Sequence, residues 1–311
     1  MRDQIIPYMN EKVEADEAAF IYHCGDILSK STSALVSIQN SNVLFCLMLI
    51  LYFLFITFTI IQEGSGSDDI SKSYRCNQYS FQSRVDLFEQ AINHVLVPGD
   101  NDWNECAGYD PTKSAGDIRD TWRELFSEAN SPFFKFNRNF PGESYFPDIE
   151  RKTTPNAQGD VNPELFFFRY NDIGIFGLNT PAGVNYISNY SPVDINAEWV
   201  ADRLGNDCSF QSVIFLSHKV PTDAVLDVID KDFAENCNRI LPSLIIRGSS
   251  HPTTYCLDHD EDVKRTDLTV EAFFSGPLLI SVIRDPKGTG DYFHIEDSQL
   301  ANSNSQCPDF V

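Results

Sequence analysis

The feature that most restricts what this chain can become is residues 43–61, VLFCLMLILYFLFITFTII, an apolar run without a single charge. A run of this length matches the roughly 20 apolar residues that a helix needs to cross a bilayer. Taken alone it reads as a single-pass transmembrane segment, which would make the chain a membrane protein. Its flanks, SKSTSALVSIQNSN and QEGSGSDDISKS, are polar and poor in structure-forming residues, so the run stands apart from its surroundings. A second reading takes residues 36–62 as a retained intron. Val36-Ser37 can be encoded GTGAGT, a splice-donor sequence, and the Phe-, Leu- and Ile-rich end implies a T-rich tract. Gln62 can be CAG, an acceptor end, and removing whole codons keeps the frame. The joined product would run ILSKSTSAL into EGSGSDDISKSYRC, a polar loop.

The remaining residues describe a folded chain. Hydrophobic content of 42%, with 24 Phe among 311 residues, can supply a core for one large domain or two small ones. A net charge of −22 argues against binding a phosphate backbone through a basic surface, so no nucleic-acid partner is expected. The eight cysteines are scattered, and none falls in a CxxC pair, which disfavours a zinc knuckle. Loop cysteines of this kind suit a secretory compartment, where some would pair, or else remain buried thiols. Residues 1–20 carry charges and lack an apolar h-region, so no signal peptide is expected there.

Strand and helix signals alternate along the chain. Phe20-Ile21-Tyr22 predicts a short strand, as do Val95-Leu96-Val97, Val213–Leu216 and Leu244–Ile246. Leu165–Phe168 and Ile173–Leu178 predict a strand pair about an Asn171-Asp172 turn. Helical spacing relates Phe81, Val85, Phe88 and Ile92. It recurs in Ile118, Trp122, Leu125 and Phe126 behind a Ser114 cap, and in Ile195, Trp199, Val200 and Leu204. Another helix is expected around Ala224–Phe233, and antiparallel strands at Ala272–Phe274 and Leu278–Ile283. Sheets covered by helices follow, an α/β (α+β) layered domain. The expected division is 1–30 as the first part of the domain, 31–75 as an insertion, 76–290 as its main body, and 291–311 as a polar tail.

Four predicted strands end on a residue able to bind a metal or handle a proton: FIYHCGD (Asp26), VLVPGDND (Asp100), VIFLSH (His218) and LIIRGSSH (His251). Strand C-termini are where such folds hold reacting groups, because rigid strands open there into solvent-facing loops. Aspartate and histidine together suit Mn, Fe or Zn. Singly, each has a plainer explanation: a Gly-Asp is usually a turn, and a lone strand-end His is usually a hydrogen-bonded structural residue. Four in succession favour a site.

Their wording resembles the calcineurin-like metallophosphoesterases, whose motifs run D-x-H, G-D, G-N-H-[DE], a lone H, and G-H-x-H. Gly25-Asp26 matches the second motif, Gly99-Asp100-Asn101-Asp102 the third, His218 the lone His, and Gly248-Ser249-Ser250-His251 the last. The stretch PGDNDWNEC is similar to a divergent subgroup with a PGDN[ED]W-x-x-C box, preceded by an HxGDI motif, a Cys and a helix bearing LF, as in His23–Ile27, Cys76 and Leu87-Phe88. The likeness covers most of residues 13–285. It implies a four-layer fold, two packed β-sheets flanked by helices, and a hydrolase of phosphate mono- or diesters acting on a small phosphorylated substrate. It further implies two divalent ions (Mn, Fe or Zn) held by Asp26, Asp100, His218 and His251. Such ions, about 3.5–4 Å apart, clamp a phosphate and activate water. Asn101 stands where the family has a leaving-group His. Its amide can hydrogen-bond a phosphate oxygen but cannot act as an acid. Asp102 is expected beside it in the catalytic loop as a carboxylate acceptor, and Trp103 as a wall of the substrate pocket or as core packing.

The chain departs from the family in three places. No D-x-H strand precedes Asp26, so the domain reads as truncated at its N-terminus, with two ligands expected upstream of Met1. Ser249 stands where a second-metal ligand belongs, so fewer ions are expected in this chain and its catalysis is expected to be impaired. The apolar run lies between Asp26 and Asp100. If it spans a bilayer once, those two aspartates end about 30 Å apart on opposite faces, and one site cannot hold both. A spanning helix and an assembled site exclude each other. The alternative function is a non-catalytic phosphoesterase-like binding or scaffold protein, membrane-anchored if residues 43–61 are a true span; otherwise the chain is expected to be soluble, with the secretory pathway as the compartment its cysteines suit.

Overall fold

The computed structural model describes residues 2–15, 19–23, 55–61, 81–82, 85–86, 89–99, 102, 115–127, 133–140, 144–153, 155, 161–180, 192–248, 256–260, 262, 264–269, 278–284 and 293–296. Within them the chain is a mixed α/β structure built on two sheets. One sheet contains β1 (Phe20–His23), β2 (Phe55–Ile61), β3 (His94–Leu96), β11 (Leu278–Arg284) and β12 (Phe293–Glu296), in the order β12-β11-β2-β1-β3. The other contains β4 (Glu150–Lys152), β5 (Asn162–Tyr170), β6 (Ile173–Gly177), β7 (Ser212–Ser217), β8 (Ser243–Arg247), β9 (Cys256–Asp260) and β10 (Arg265–Thr269), in the order β4-β5-β6-β7-β8-β10-β9.

The apolar run does not form one continuous helix. Residues 55–61 are β2, paired parallel to β1 (Phe20 with Phe58, His23 with Ile61) and antiparallel to β11 (Phe58 with Ile280). Seven of the nineteen residues expected as a transmembrane helix, 55–61, are thus a strand, and residues 43–54 lie outside the described residues. Among the described residues no helix is long and apolar enough to cross a membrane. The physical reason is period. A continuous apolar run fits a strand buried on both faces as well as it fits a helix, and β-branched Ile and Thr in FITFTII favour the strand.

The seven-stranded sheet follows the alternation of the sequence more directly. Asn171, at φ +54°, turns β5 into antiparallel β6, a conformation that Asn tolerates. Strands β6, β7, β8 and β10 then run parallel. Helix α1 (Arg2–Glu14) precedes β1, and α2 (Ala115–Trp122) runs on through a π-helical turn at Arg123–Ser127. Helix α3 (Pro192–Leu204) buries its Ile195, Trp199, Val200 and Leu204 stripe. Residues 223–237 form α4 (Asp223–Asp227), a π-helical turn and α5 (Phe233–Cys237).

Aromatic rings join the sheets. Phe20 of β1 meets Phe168 of β5 edge-on at 5.4 Å, and Phe136 meets the same ring at 4.9 Å. Phe166 and Phe168 lie on one side of β5, while Phe167 packs on the other against Phe176 and Phe210. Each buried Phe contributes about 1.5–3 kcal/mol by removal from water. Gly177 is opposite Phe166, whose ring covers the position that a Cβ would take. Asn93, at φ +48°, is a polar anchor in this core: its amide donates to Ala19 and Arg138 carbonyls, and its Oδ1 accepts from the Asn137 and Arg138 amides.

One further expectation changes, and others fall outside the described residues. The antiparallel partner of β11 on its outer side is β12, within residues 291–311 expected to be a polar tail, and Ala272–Phe274 lies outside the described residues. Ser114 and Phe88 also lie outside them.

Candidate functional site

Strands β1, β2 and β3 run parallel, with His23 beside Leu96, so β1 and β3 end side by side. In the other sheet β6, β7 and β8 end together, Gly177 beside Leu216 and Ser217 beside Arg247. One buried hydrogen bond ties the two sets of ends: the Tyr22 hydroxyl, one residue before the end of β1, donates to the Ser217 carbonyl, the last of β7, at 2.9 Å. The C-terminal ends of the parallel strands in both sheets therefore meet at one edge of the molecule.

Of the residues expected at the site, His218 and Asp102 fall within the described residues; Asp26, Asp100, Asn101, Trp103 and His251 lie outside them. His218 follows β7 directly and is fully buried. Asp102 is also fully buried, and its Oδ2 accepts the Gly99 amide at 2.9 Å. That bond closes the Pro98-Gly99 turn upon itself. A carboxylate oxygen held in this way acts as a loop fastener.

Several residues at this edge had no signal in the sequence. The Thr180 hydroxyl accepts the Lys219 amide at 2.9 Å and donates to the Lys219 carbonyl at 3.1 Å. Asn179, before it, is clasped by Asn196 of α3, which accepts its amide at 3.0 Å and donates to its carbonyl at 2.7 Å. The Asn179 side-chain amide donates to Glu164 Oε1 at 2.8 Å. Glu164 is completely buried and receives Arg123 in a fork, at 2.6 Å to Oε1 and 2.9 Å to Oε2. The strand ends thus rest on a charged, hydrogen-bonded base.

Whether a metal ion suits this edge can be judged from the residues present. His218 offers a buried imidazole donor, and the Ser217 hydroxyl beside it is buried with no hydrogen-bond partner among the described residues. An orphan hydroxyl in the interior is costly unless another polar group, water or ion reaches it. Both features fit a polar centre at the end of β7. Among the described residues no group of three or more His, Cys, Asp or Glu could by itself hold a metal ion. An open cleft of about 360 Å³ lies elsewhere, between Leu204-Gly205 and Phe233.

Beside that cleft, Cys208 and Cys237 form a disulfide, with Cα atoms 5.4 Å apart. No protein-family model matches the chain, and no curated protein matches it either.

Proposed function

We propose that this chain is a calcineurin-like phosphoesterase, a hydrolase of phosphate mono- or diesters whose metal site forms where β1, β3, β7 and β8 end. The observation that carries the reading is the Tyr22–Ser217 bond, because it brings the ends of β1 and β7 together from different sheets. Asp26 comes three residues after β1, Asp100 four after β3, and His251 four after β8, so chain length alone keeps each within about 15 Å of its strand end. The parallel order of β6, β7 and β8 and the antiparallel β11–β12 pair also accord with a layered two-sheet phosphoesterase.

Asp26, Asp100, His218 and His251 would hold the divalent ions. When bound, these supply charge neutralisation and an activated water. The protein's share is orientation. His218 presents an imidazole from a strand end, and Asp102 fixes the Gly99 amide at the start of the loop that carries Asp100 and Asn101. Asn101 would donate an amide hydrogen to a phosphate oxygen, which positions the ester without protonating its leaving group. Loss of a proton donor there favours substrates with acidic leaving groups, of which aryl phosphates are the simplest. The Cys208–Cys237 bridge supports placement in an oxidising compartment such as the secretory pathway.

The test is direct. Full-length protein is analysed for bound metal and assayed on an aryl phosphate with added Mn²⁺. Bound metal with hydrolysis, both lost in Asp100→Ala, is expected. A metal-free, inactive wild type that stays folded would instead support the non-catalytic scaffold.

A further inference from the structure

We propose that Tyr22 and Thr180 are positioning residues for His218, each pinning the peptide next to it so that the imidazole enters the site with a fixed orientation. The inference rests on the phosphoesterase reading and assigns roles to two residues that no sequence motif marks.

The geometry is specific to His218. Tyr22 holds the residue before it, through the Ser217 carbonyl, and Thr180 holds the residue after it, through both polar backbone atoms of Lys219. These clamps come from opposite neighbours, β1 in one sheet and the segment following β6 in the other. Leu178 continues the ladder by donating to the Leu216 carbonyl at 2.9 Å, so the peptides flanking His218 are tied to both sheets. Thr180 is itself anchored, since Asn179 beside it is held by Asn196 and by Glu164 under Arg123. Buried peptide groups at any strand end need hydrogen-bond partners, but a packing role alone does not require the side chain between them to be held to a fraction of an ångström. A metal ligand does, because a displacement of a fraction of an ångström at its nitrogen is felt in affinity; outer-shell partners of such ligands typically contribute about 10–100-fold.

The experiment uses the full chain with Mn²⁺ as the probe. Affinity is read by titration calorimetry, and the His218 ring signals in the metal-free protein are read by NMR. Thr180→Val and Tyr22→Phe keep side-chain volume while removing the clamping hydroxyl. Each is expected to weaken the tightest Mn²⁺ step by about tenfold or more and to shift or broaden the His218 ring signals. Thr180→Ser, which keeps the hydroxyl, is expected to restore both. If His218→Ala abolishes the Mn²⁺ step while Thr180→Val and Tyr22→Phe bind as the wild type does, the positioning role is wrong and the phosphoesterase reading survives. If His218→Ala also binds Mn²⁺ normally, His218 is not a ligand and both fall. Where Thr180→Val lowers stability, the comparison with Thr180→Ser and the metal-free NMR spectrum still separate positioning from general loosening.

Discussion

The two sheets are assembled by different means. The seven-stranded sheet grows from neighbours: β5 turns into β6 over two residues, and β6, β7 and β8 follow one another in sequence and in space. The five-stranded sheet is gathered from both ends of the chain, with β1 meeting β2 across residues 24–54 and β2 meeting β11 more than 200 positions away. Local pairings close cheaply and early, whereas distant ones require the loop-closure entropy first. The difference teaches that the candidate site joins a robust half to a fragile half. Residues His218 and Thr180 stand on the first, while the strand ends leading to Asp26 and Asp100 stand on the second.

The largest effect should come from the fragile half. Phe58 lies in the middle of β2 with strands on both sides, so Phe58→Pro removes a ladder hydrogen bond and fits no central strand. Hydrogen exchange read by mass spectrometry is expected to show β1 and β11 losing protection while β7 and β8 keep theirs. Equal loss in all four strands would mean that the sheets do not separate in this way. A chain lacking residues 36–62 sharpens the point, since it removes β2 and leaves β1 and β11 with open edges. If that shorter chain melts higher and exchanges more slowly, residues 36–62 are foreign to the fold, and transcripts spanning codons 30–70 should lack them.

Next in size is Arg123→Ala, which strikes the base beneath the robust half. It takes the forked guanidinium from a fully buried carboxylate, leaving Glu164 the Asn179 amide and the charge of Arg151, and a loss of about 3–5 kcal/mol is expected by urea denaturation. Arg123→Ala combined with Glu164→Leu should recover much of that loss, because the double change removes the stranded charge. If the single variant costs under about 1 kcal/mol, the pair is not the support described.

The disulfide ranks close behind. Its 29-residue separation gives a chain-entropy contribution of about 3–4 kcal/mol. Cys208→Ser with Cys237→Ser should lower the thermal midpoint and loosen α5 and the residues ahead of β7. The five-stranded sheet should be almost untouched, and a comparable loosening of β1 would contradict the separation of halves.

Legibility in the sequence followed the same division. The β5–β6 pair, the α3 stripe and β7 were readable because apolar period and turn chemistry agree there: LFFF and IGIF flank Asn-Asp, and Ile195, Trp199, Val200 and Leu204 repeat at helical spacing. Strand β2 was not, because an uninterrupted apolar run carries no period and length favoured a helix. Strands β9 and β10, CLDHD and RTDLT, are too polar to announce themselves and are strands through pairing with each other and with β8. At the site, the position of His218 after a buried strand was legible, since FLSH ends an apolar run. Its supports were not: Tyr22 and Ser217 are 195 positions apart, and Thr180 and Lys219 are 39 apart, contacts that no local spacing encodes.

The smallest effect probes the boundary between the halves through His94 of β3. This ring is fully buried against Phe133, and desolvation lowers its pKa from 6.5 to about 3. In the unfolded chain the same imidazole titrates near 6.5. Above that pH both states are neutral and His94 adds no pH dependence. Between about 6.5 and 3 the unfolded state binds a proton that the folded state refuses, so stability falls as pH falls. At about 1.36 kcal/mol per pH unit, the loss approaches 2 kcal/mol by pH 5. Urea midpoints measured from pH 7.5 to 5 should show this slope in the wild type and a flatter one in His94→Leu, with hydrogen exchange assigning the acid-sensitive opening to β1 and β3. Parallel slopes in the two proteins would place the acid sensitivity elsewhere, and β3 would no longer mark the weaker side of the site.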